Sequence, residues 1–547
     1  MKRFTSICSI LFVCILISSH VGSPGVTFEG LLGNYRVLAN INPPDVVPGT
    51  ATLTIVLPDA PTNVRVEARP VYWSAGLKGT PKADLIPPVE GEAGRYEGEL
   101  WFMEPGTSSV QIMLEENGEI FETIIPVMAM PTAQRDMPQE LGMILAGLGI
   151  FLVILMVTII SSAMSESIRE PGEIRSKSSI RRNQIGIALG SICMLLILWA
   201  GKSWWDAEAE TYSRYLFQPL SASTTLESTS DGNTLLLSID PKELNQGRIT
   251  RKLSYMVPDH GKLMHMFLIR KNDLDVFAHI HPERIDTLNY QVSIPDLPSG
   301  DYHVFADITR FTGFSETIVS TLTIPEKSDF SFASQKEFVL GRDDTFAFSN
   351  PVSDPKPIRL DEAIMICGKP GIKTDLPGGY SAIWESETGK FDAGKLYTLD
   401  FALFDPEGEP AVLEPYLGMM GHAVVLKHDG SVYIHLHPTG NYSMGSQQML
   451  KERFASGKIG LNNLPSGLSF PDSIDNVIRI LNGLSDEERD ELLMADMDHE
   501  KFYGEEHEEH SMVSFPYSFP EAGKYRVWIQ VKVDGQIING AFDVEVD

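Results

Sequence analysis

Apolar and polar residues alternate along the N-terminal part of the chain, from residue 26 to residue 130. Clusters of Pro and Gly separate the clearest runs, which are residues 51–57, 63–68, 95–101 and 109–114. Because successive side chains of a strand point to opposite faces of a sheet, each run predicts a strand with one buried face. Short strands between turns are typical of a β-sandwich. We predict such a sandwich over residues 26–135 and, since it has no His or Cys, interpret it as a docking or spacer domain.

Two later stretches are apolar without any alternation. Residues 141–163 carry no charge, and residues 185–201 form a second stretch that is followed by tryptophans at positions 204 and 205. A helix rises about 1.5 Å per residue, so the first stretch is long enough to cross a bilayer. Tryptophans are typical of the membrane interface. We therefore predict membrane helices at residues 139–163 and 185–202.

The segment between these helices sets their orientation. Residues 164–184 contain five cationic side chains, Arg169, Arg175, Lys177, Arg181 and Arg182. Such a loop is typical of the cytoplasmic side. We expect both flanking regions to lie outside the cytoplasm, in the cytoplasmic (inner) membrane of a bacterium.

The chain begins with a charged and then apolar segment. Lys2 and Arg3 precede the apolar residues 7–17, and small residues follow. This order predicts an export signal peptide over residues 1–25, because the apolar stretch is short for a membrane span. No cleavage site stands out, so a retained N-terminal anchor is the alternative.

Two further β-rich domains are predicted, at residues 220–326 and 330–547. The last one carries an insertion with helical periodicity at residues 443–510, whose final helix begins with a capping box at Ser485. The two domains look like copies, because a histidine hairpin and a final hairpin recur in the same order. The fold class is thus mainly β, with three β-sandwich domains of Ig- or cupredoxin-like type, two transmembrane helices and the helical insertion.

Both copies share the motif His-x(12 or 13)-His-x-His-Pro. In the second copy, Asp429-Gly430 is a strong signal for a two-residue hairpin loop. Counting back from it places His422 opposite His437, with His435 on the same face of the strand. Val432, Ile434 and Leu436 would form the opposite, core-facing side. Three imidazoles would then converge, which suits a metal ion.

The first copy has one more residue in its hairpin. A three-residue loop at residues 272–274 would place His265 opposite His281, with His279 on the same face. A two-residue loop would instead turn Met264 and Met266 toward the histidine face. Either arrangement offers nitrogen or sulfur ligands, so the alternatives stay open here.

The predicted metal ligands are His265, His279, His281, His422, His435 and His437. Further candidates are Met264, Met266, Met420 and His260, the last of which has a role in a turn as its alternative. Imidazole suits copper and zinc, and thioether sulfur favours Cu(I). Because methionines are frequent around the motifs, copper is the predicted metal, with zinc as the second choice. The simpler interpretation is that the histidines are ordinary polar residues, hydrogen-bonded beneath a loop.

Other features of the chain favour no additional chemistry. The net charge of -29 argues against nucleic acid as a partner. Four cysteines, three of them in predicted signal or membrane segments, cannot form a disulfide framework. Residues 486–512 combine acids with histidines at positions 499, 507 and 510, which fits cation gathering or a solvated acidic helix. His303 has Arg526 as its counterpart, which argues against a shared metal role.

Two segments resemble a known group of proteins. Pro258-Asp-His-Gly-Lys-Leu-Met-His265 with His279-Ile-His-Pro282, and Tyr416-Leu-Gly-Met-Met-Gly-His422 with His435-Leu-His-Pro438, are similar to bacterial envelope proteins with YtkA-like or FixH-like β-sandwich modules. Some of these are associated with copper handling. The helical insertion departs from that compact module.

These observations predict a membrane-tethered, extracytoplasmic metal-binding protein for copper homeostasis or delivery, with an envelope protein as partner. The alternative is a structural or interaction module that docks to an envelope complex and uses its histidines structurally. A metalloenzyme is the third hypothesis. No Ser/His/Asp arrangement, phosphate-binding glycine loop or CxxC motif occurs, so we expect no enzymatic activity.

Overall fold

The computed structural model describes residues 20–21, 25–59, 64–135, 137–165, 172, 174–229, 232–242, 252–326, 340–353, 364–386, 389–457, 464–494 and 511–547. Most of the predicted signal peptide lies outside this part of the chain. The chain falls into two compact units, one made of Met1–Ala129 with Gln218–Asp547 and the other of Met130–Phe217. It is mainly β, as predicted, with several sheets and five α-helices among the described residues.

The N-terminal part forms two four-stranded sheets around one core. The first contains Val26–Leu32, Tyr35–Asn42, Gly49–Val56 and Arg95–Phe102, and the second contains Asp84–Leu85, Arg65–Tyr72, Gly106–Glu116 and Glu119–Ala129. In strand Gly49–Val56, Ala51, Leu53 and Ile55 are buried, and the residues between them are more exposed to solvent. This matches the alternation of apolar and polar residues in the sequence. All four predicted strand runs overlap these strands, so the prediction of β-structure here is confirmed.

The second unit contains two helices, α1 (Gln139–Met164) and α2 (Lys177–Tyr215). Both are long and apolar enough to cross a membrane. The predicted span at residues 139–163 matches α1, while the span at 185–202 lies inside the longer α2. The helices approach closely at two glycines, where Gly186 lies against Ser161 and Gly190 against Ile160. Small residues at these positions permit such an approach.

The first histidine repeat contains two sheets. One is formed by Ala222–Thr229, Gly232–Ile239, Asn289–Ile294 and Glu283–Arg284. The other is formed by Met256–Val257, Ser315–Ile324, Gly300–Arg310, His265–Arg270, Val276–Ile280, Thr345–Ser349 and Ile364–Met365. Strand Thr345–Ser349 pairs with Val276–Ile280. Strands Thr345–Ser349 and Ile364–Met365, which lie within the last domain predicted at residues 330–547, therefore belong to the sheet of the first repeat.

The second repeat also contains two sheets. One is formed by Lys373–Asp375, Ser381–Glu385, Leu396–Phe404 and Met512–Ser518, and the other by His20–Val21, Val432–Leu436, His422–Lys427, Gly523–Val533 and Gln536–Val546. In both repeats the strand order runs from the final hairpin to the histidine hairpin. His265 pairs with Asp307 in the first repeat, and His422 pairs with Gln530 at the equivalent position in the second. The two hairpins therefore have the same neighbours in the same register.

The histidine-bearing sheets of the two repeats pack against each other face to face. Phe277 of the first repeat stacks on Trp528 of the second, with ring centroids 5.1 Å apart. At the equivalent positions, Tyr433 of the second repeat stacks on Phe305 of the first, at 3.9 Å. The interface is thus an approximate two-fold arrangement. Each buried aromatic side chain contributes about 1.5–3 kcal/mol, and each stacked pair roughly 0.5–1.5 kcal/mol more.

Three helices fill the insertion: α3 (Met444–Ser456), α4 (Phe470–Gly483) and α5 (Asp486–Met494). Residues 458–463 and 495–510 of the predicted insertion are outside the described chain. The predicted capping box at α5 is present, because Glu488 N–H donates to Ser485 Oγ and Ser485 N–H donates back to the Glu488 carboxylate. Helix α3 packs between the N-terminal sheets and the first repeat, where Arg453 donates to the Trp73 carbonyl and Ser446 to the Gly313 carbonyl.

Candidate metal centre

The histidine hairpin of the second repeat has the predicted register. Ala423 pairs with Leu436 and Val425 with Ile434, so the next step places His422 opposite His437. Their ring centroids lie 5.3 Å apart. The turn closes through Gly430 N–H, which donates to the Lys427 carbonyl at 2.8 Å. The predicted register is confirmed, but the turn spans Lys427–Gly430 and is not a two-residue loop of Asp429-Gly430 alone.

The hairpin of the first repeat adopts the three-residue loop. Met266 pairs with Ile280 and Ile269 with Phe277, which places His265 opposite His281. Asn272 and Leu274 take positive φ values of 66° and 49°, which lets the chain reverse within this loop. The register therefore follows the three-residue alternative.

The methionines predicted as ligands pack in or against apolar cores. Met264 and Met266 lie fully buried in the apolar core of the first repeat, on the face opposite to the histidines. Met420 packs against the core of the second repeat. The hypothesis that Met264 and Met266 are ligands is wrong. The three-residue loop turns His265 toward the other histidines and both methionines toward the apolar core.

Seven buried histidines meet where the two sheets face each other. They are His260, His265, His279, His281, His422, His435 and His437, and the rings of the two repeats interleave. We call this set the histidine centre. From the sequence, each motif predicts a site of its own. An aromatic residue lies on the histidine face of each hairpin, Phe277 in the first and Tyr433 in the second, and this was the available signal for a second buried surface.

Two groups within the centre could each hold a metal ion. Triad 1 consists of His265, His279 and His281, all from the first repeat, and triad 2 consists of His260, His422 and His437. In each triad the three candidate ligand atoms lie within 4.8 Å of one another. Triad 2 joins both repeats, since His260 comes from the first. Its backbone has a φ of 50° in the turn Asp259–Lys262, so His260 has the predicted turn position and is also a candidate ligand.

The hydrogen bonds of triad 1 fix which nitrogen of each ring carries a lone pair. His265 Nε2 donates to the Asp259 carbonyl at 3.0 Å, and His281 Nδ1 donates to Asp344 Oδ1 at 2.8 Å. His279 Nδ1 donates to Gln530 Oε1 at 2.9 Å. The remaining nitrogens, His265 Nδ1, His279 Nε2 and His281 Nε2, are therefore acceptors. Metal-binding histidines are commonly oriented by such oxygen partners.

Triad 2 is held in a similar way. His437 Nδ1 donates to the Tyr442 carbonyl at 3.1 Å, which leaves Nε2 as the acceptor. This Nε2 lies 3.2 Å from His260 Nε2. Among the described residues, His422 has no hydrogen-bond partner for either ring nitrogen, although both are buried. A buried polar atom without a partner is costly, so the ring is poised for a ligand that the protein itself does not supply.

His435 lies between the triads. Its ring centroid is 4.5 Å from that of His437 and 5.5 Å from that of His265. Its Nδ1 is 3.4 Å from Asp307 Oδ2, across the interface between the repeats. Its Nε2 is buried and has no partner in the part of the chain that the structure describes. Asp307 also accepts from Thr317 and Tyr433. Nothing in the motifs identifies Asp307, Asp344 or Gln530 as partners, since only the fold brings them to the rings.

Burial controls protonation throughout the centre. It lowers the pKa of all seven histidines below the usual value, to about 3 for His437. Burial also raises the pKa of Asp307 to about 7 and that of Asp344 to about 6. Asp343 is buried as well, but Lys262 and Arg489 outweigh this effect and bring its pKa to about 2. The rings are thus neutral near pH 7, which is the form that binds metal.

Two clefts lead from the surface to the centre. One, of about 500 Å³, reaches His260 and is lined by apolar side chains with Met444 and Met449. The other, of about 920 Å³, reaches His281 and is lined by charged residues that include Lys262 and Arg342. Each cleft therefore ends at a different triad.

One segment of the chain matches a known protein family. Residues 375–458 match a family described as Domain of unknown function (DUF8832), and this segment contains His422, His435 and His437. None of the curated proteins matches the chain.

The similarity to solved structures is low. An endo-fucoidan hydrolase of glycoside hydrolase family 107 has 6% identity and a TM-score of 0.13, with 92% of this chain and 42% of that chain covered. The chicken CNTN1 FN1–FN3 domains have 6% identity and a TM-score of 0.11, with coverages of 92% and 97%. Trypsin-activated alpha-2-macroglobulin from Escherichia coli has 9% identity and a TM-score of 0.16, with coverages of 95% and 35%. The chain thus spans less than half of the hydrolase, and these TM-scores support no inference about fold or function.

Proposed function

We propose that this chain is a membrane-tethered protein that binds a transition-metal ion in the histidine centre. The observation that carries the proposal is the contact between His265 Nδ1 and His279 Nε2, which are 3.1 Å apart. Each ring already donates its N–H to an oxygen, so two lone pairs face each other. Such a pair is repulsive unless a cation lies between or beside the two nitrogens. Two imidazoles on one tetrahedral ion, at about 2.0–2.1 Å each, are separated by about 3.3–3.4 Å.

The surroundings favour a metal ion over a proton as that cation. Burial opposes protonation of these rings, because it lowers the pKa of His265 and His279. Carboxylates stand behind the rings, with Asp344 on His281 and Asp307 on His435. A carboxylate–histidine pair raises the basicity of the ligand nitrogen and fixes the ring orientation. The partners of the rings thus resemble those of metal-binding histidines.

We propose copper as the metal and copper homeostasis or delivery as the role. The donor set is all imidazole, for which divalent copper has the highest affinity among the common divalent ions. Methionines do not join the centre, but Met444 and Met449 line the cleft that leads to His260. Thioether sulfur suits Cu(I), so this cleft fits a route for copper. Zinc is the second choice.

The proposed location is the outer side of a bacterial cytoplasmic membrane. Two helices are long and apolar enough to anchor the chain, and the cationic residues between them favour a cytoplasmic loop. The resemblance to YtkA-like and FixH-like envelope modules supports the same location. A partner protein in the envelope would be the donor or the acceptor of the ion.

Metal analysis of the full chain tests the proposal. The protein, purified in detergent micelles and stripped with a chelator, is incubated with Cu(II) or Zn(II), desalted and analysed for bound metal. We expect bound metal in the wild type and its loss in the double variant His279→Gln/His437→Gln. The matched control is His303→Gln, because His303 stacks on Phe305 outside the centre. Wild type without bound metal would overturn the proposal and leave the docking module as the better hypothesis.

A further inference from the structure

The centre repeats the same ring geometry twice. In triad 1 the centroid distances are 5.3 Å for His265–His279, 5.0 Å for His265–His281 and 4.6 Å for His279–His281. The equivalent rings of the second repeat, His422, His435 and His437, are separated by 5.5, 5.3 and 4.5 Å in the same order. Each repeat therefore builds one set of three imidazoles, and the approximate two-fold arrangement brings both sets into one buried centre.

The second set has an additional ring. His260 lies 5.5 Å from His422 and 4.6 Å from His437, measured between ring centroids. Its turn, Asp259–Lys262, corresponds to the turn Tyr416–Met419 of the second repeat, which forms the same bridge. At the position of His260 the second repeat has Leu417, with a similar φ of 54°. Of the seven histidines, His260 alone has no counterpart in the other repeat. It adds a fourth imidazole to the set of His422, His435 and His437.

The equivalent rings His279 and His435 have different polar partners. His279 is oriented by the neutral amide of Gln530, and the equivalent His435 faces the carboxylate of Asp307. Both partners reach across the interface, and they occupy equivalent strand positions opposite His422 and His265. Each set thus has one carboxylate behind a ring, Asp307 on His435 and Asp344 on His281, so the sets differ mainly in the number of imidazoles.

We propose that the centre is binuclear and unequal, with one ion held by His260, His422, His435 and His437 and the other by His265, His279 and His281. This inference rests on the proposed function. Four protein ligands complete a tetrahedral site, whereas three leave a position open for a water molecule or another small ligand. The open position belongs to the ion next to His281, where the charged cleft ends. The ion beside His260 is closed to added ligands.

Stoichiometry and ligand binding of the full chain test this inference. The stripped wild type in detergent is loaded with Co(II) as a spectroscopic probe and with Zn(II), and bound metal is counted by elemental analysis and native mass spectrometry. We expect two ions per chain. Azide added to the Co(II) form should change the visible spectrum of one ion only. One ion per chain would overturn the binuclear inference alone, whereas no bound ion would overturn the proposed function.

Reciprocal variants at the two turns test the assignment of the closed and the open site. His260→Leu should open the second site, so that azide perturbs both Co(II) ions and one ion binds at least about tenfold more weakly. Leu417→His should close the first site and abolish the azide response, since His260 shows that the turn accepts histidine at positive φ. An unchanged azide response in both variants would overturn the assignment. His303→Gln serves as the control for a lost histidine outside the centre.

Discussion

Asp307 of the first repeat lies 3.4 Å from His435 of the second, measured from Oδ2 to Nδ1. Burial raises the pKa of this carboxyl group to about 7, although Thr317 and Tyr433 donate hydrogen bonds to it. Burial therefore disfavours the charged form of Asp307. A metal ion on the far side of His435 would compensate for that cost. The contact thus joins a candidate ligand of the second repeat, His435, to an acid of the first repeat, Asp307.

Asp307→Asn should weaken metal binding by about 10–100-fold, the range found when an outer partner of a metal ligand is removed. The amide keeps the shape but does not stabilise positive charge on the ring. Competition against a chelator of known affinity measures the change. Asp301→Asn is the matched control, because Asp301 is exposed on the same strand and accepts from Thr323. Equal affinities in the two variants would show that Asp307 has no part in the site.

The metal-free protein should lose stability as the pH falls. A buried histidine has an ordinary pKa of about 6.5 when unfolded, and that of His437 is about 3 when folded. Its contribution is therefore present above about pH 6.5 and is lost as the pH falls toward the folded-state pKa. Each such histidine adds a slope of about 1.4 kcal/mol per pH unit within this window.

Chemical denaturation between about pH 7.5 and about pH 5, a range that spans the free histidine pKa, measures this slope with chelator present. His437→Gln should lower it by about 1.4 kcal/mol per pH unit, since one proton less is taken up on unfolding. His303→Gln is not an equivalent control here, because burial also lowers the pKa of His303, to about 4. A slope unaffected by His437→Gln would mean that this ring is protonated in the folded protein.

The register of each hairpin could be predicted from the sequence because it depends on local turn chemistry. Asp429-Gly430 placed His422 opposite His437, and the alternation of the strand put Ile434 on the core side. For the first repeat two loop lengths were compatible with the sequence, and only the observed pairing decided between them. Local signals were thus sufficient to predict the histidine set of the second repeat. They did not decide whether His265 or the methionines Met264 and Met266 face the other histidines of the first repeat.

The union of the two sets could not be predicted in that way. It depends on the packing of Phe277 on Trp528 and of Tyr433 on Phe305, residues far apart along the chain. Aromatic side chains on a face assumed to be open were the available signal. The polar partners Gln530 and Asp307 also come from strands of the opposite repeat, so nothing in the motif itself identifies them.

Trp528→Ala should destabilise the protein by about 3–5 kcal/mol, as expected for a buried aromatic side chain, and should also weaken metal binding. Trp528 lies in the interface between the repeats, so its loss loosens the contact that holds His260 against His437. Trp384→Ala is the control, since Trp384 is equally buried in the core of the second repeat. We expect similar denaturation midpoints for the two variants but weaker metal binding only in Trp528→Ala. The same affinity in both would indicate that the centre does not depend on this interface.

The orientation in the membrane is tested with reporter fusions. We expect a reporter placed after Asp547 to be active only outside the cytoplasm and one placed within residues 164–184 to be active only inside. Replacing Arg169, Arg175, Lys177, Arg181 and Arg182 by neutral residues should make the orientation mixed, because positive charges near the ends of the helices set it. A reporter after Asp547 that is active in the cytoplasm would contradict the proposed location of the centre.

The cleft lined by Met444 and Met449 should affect the rate of copper transfer and not the affinity of the centre for copper. Met449→Leu keeps the volume of a side chain that lines the approach to His260 but removes its thioether. If Cu(I) passes along this cleft, transfer from a Cu(I) chelator should slow in the variant, while the amount bound at equilibrium stays the same. Stopped-flow transfer kinetics measure this, with Zn(II) uptake as the internal comparison because Zn(II) has little preference for thioether sulfur. Met103→Leu, at an exposed residue of the N-terminal sheets, is the control. Equal Cu(I) transfer rates in both variants would mean that the ion reaches the histidines by another path, and the charged cleft at His281 would then be the one to test.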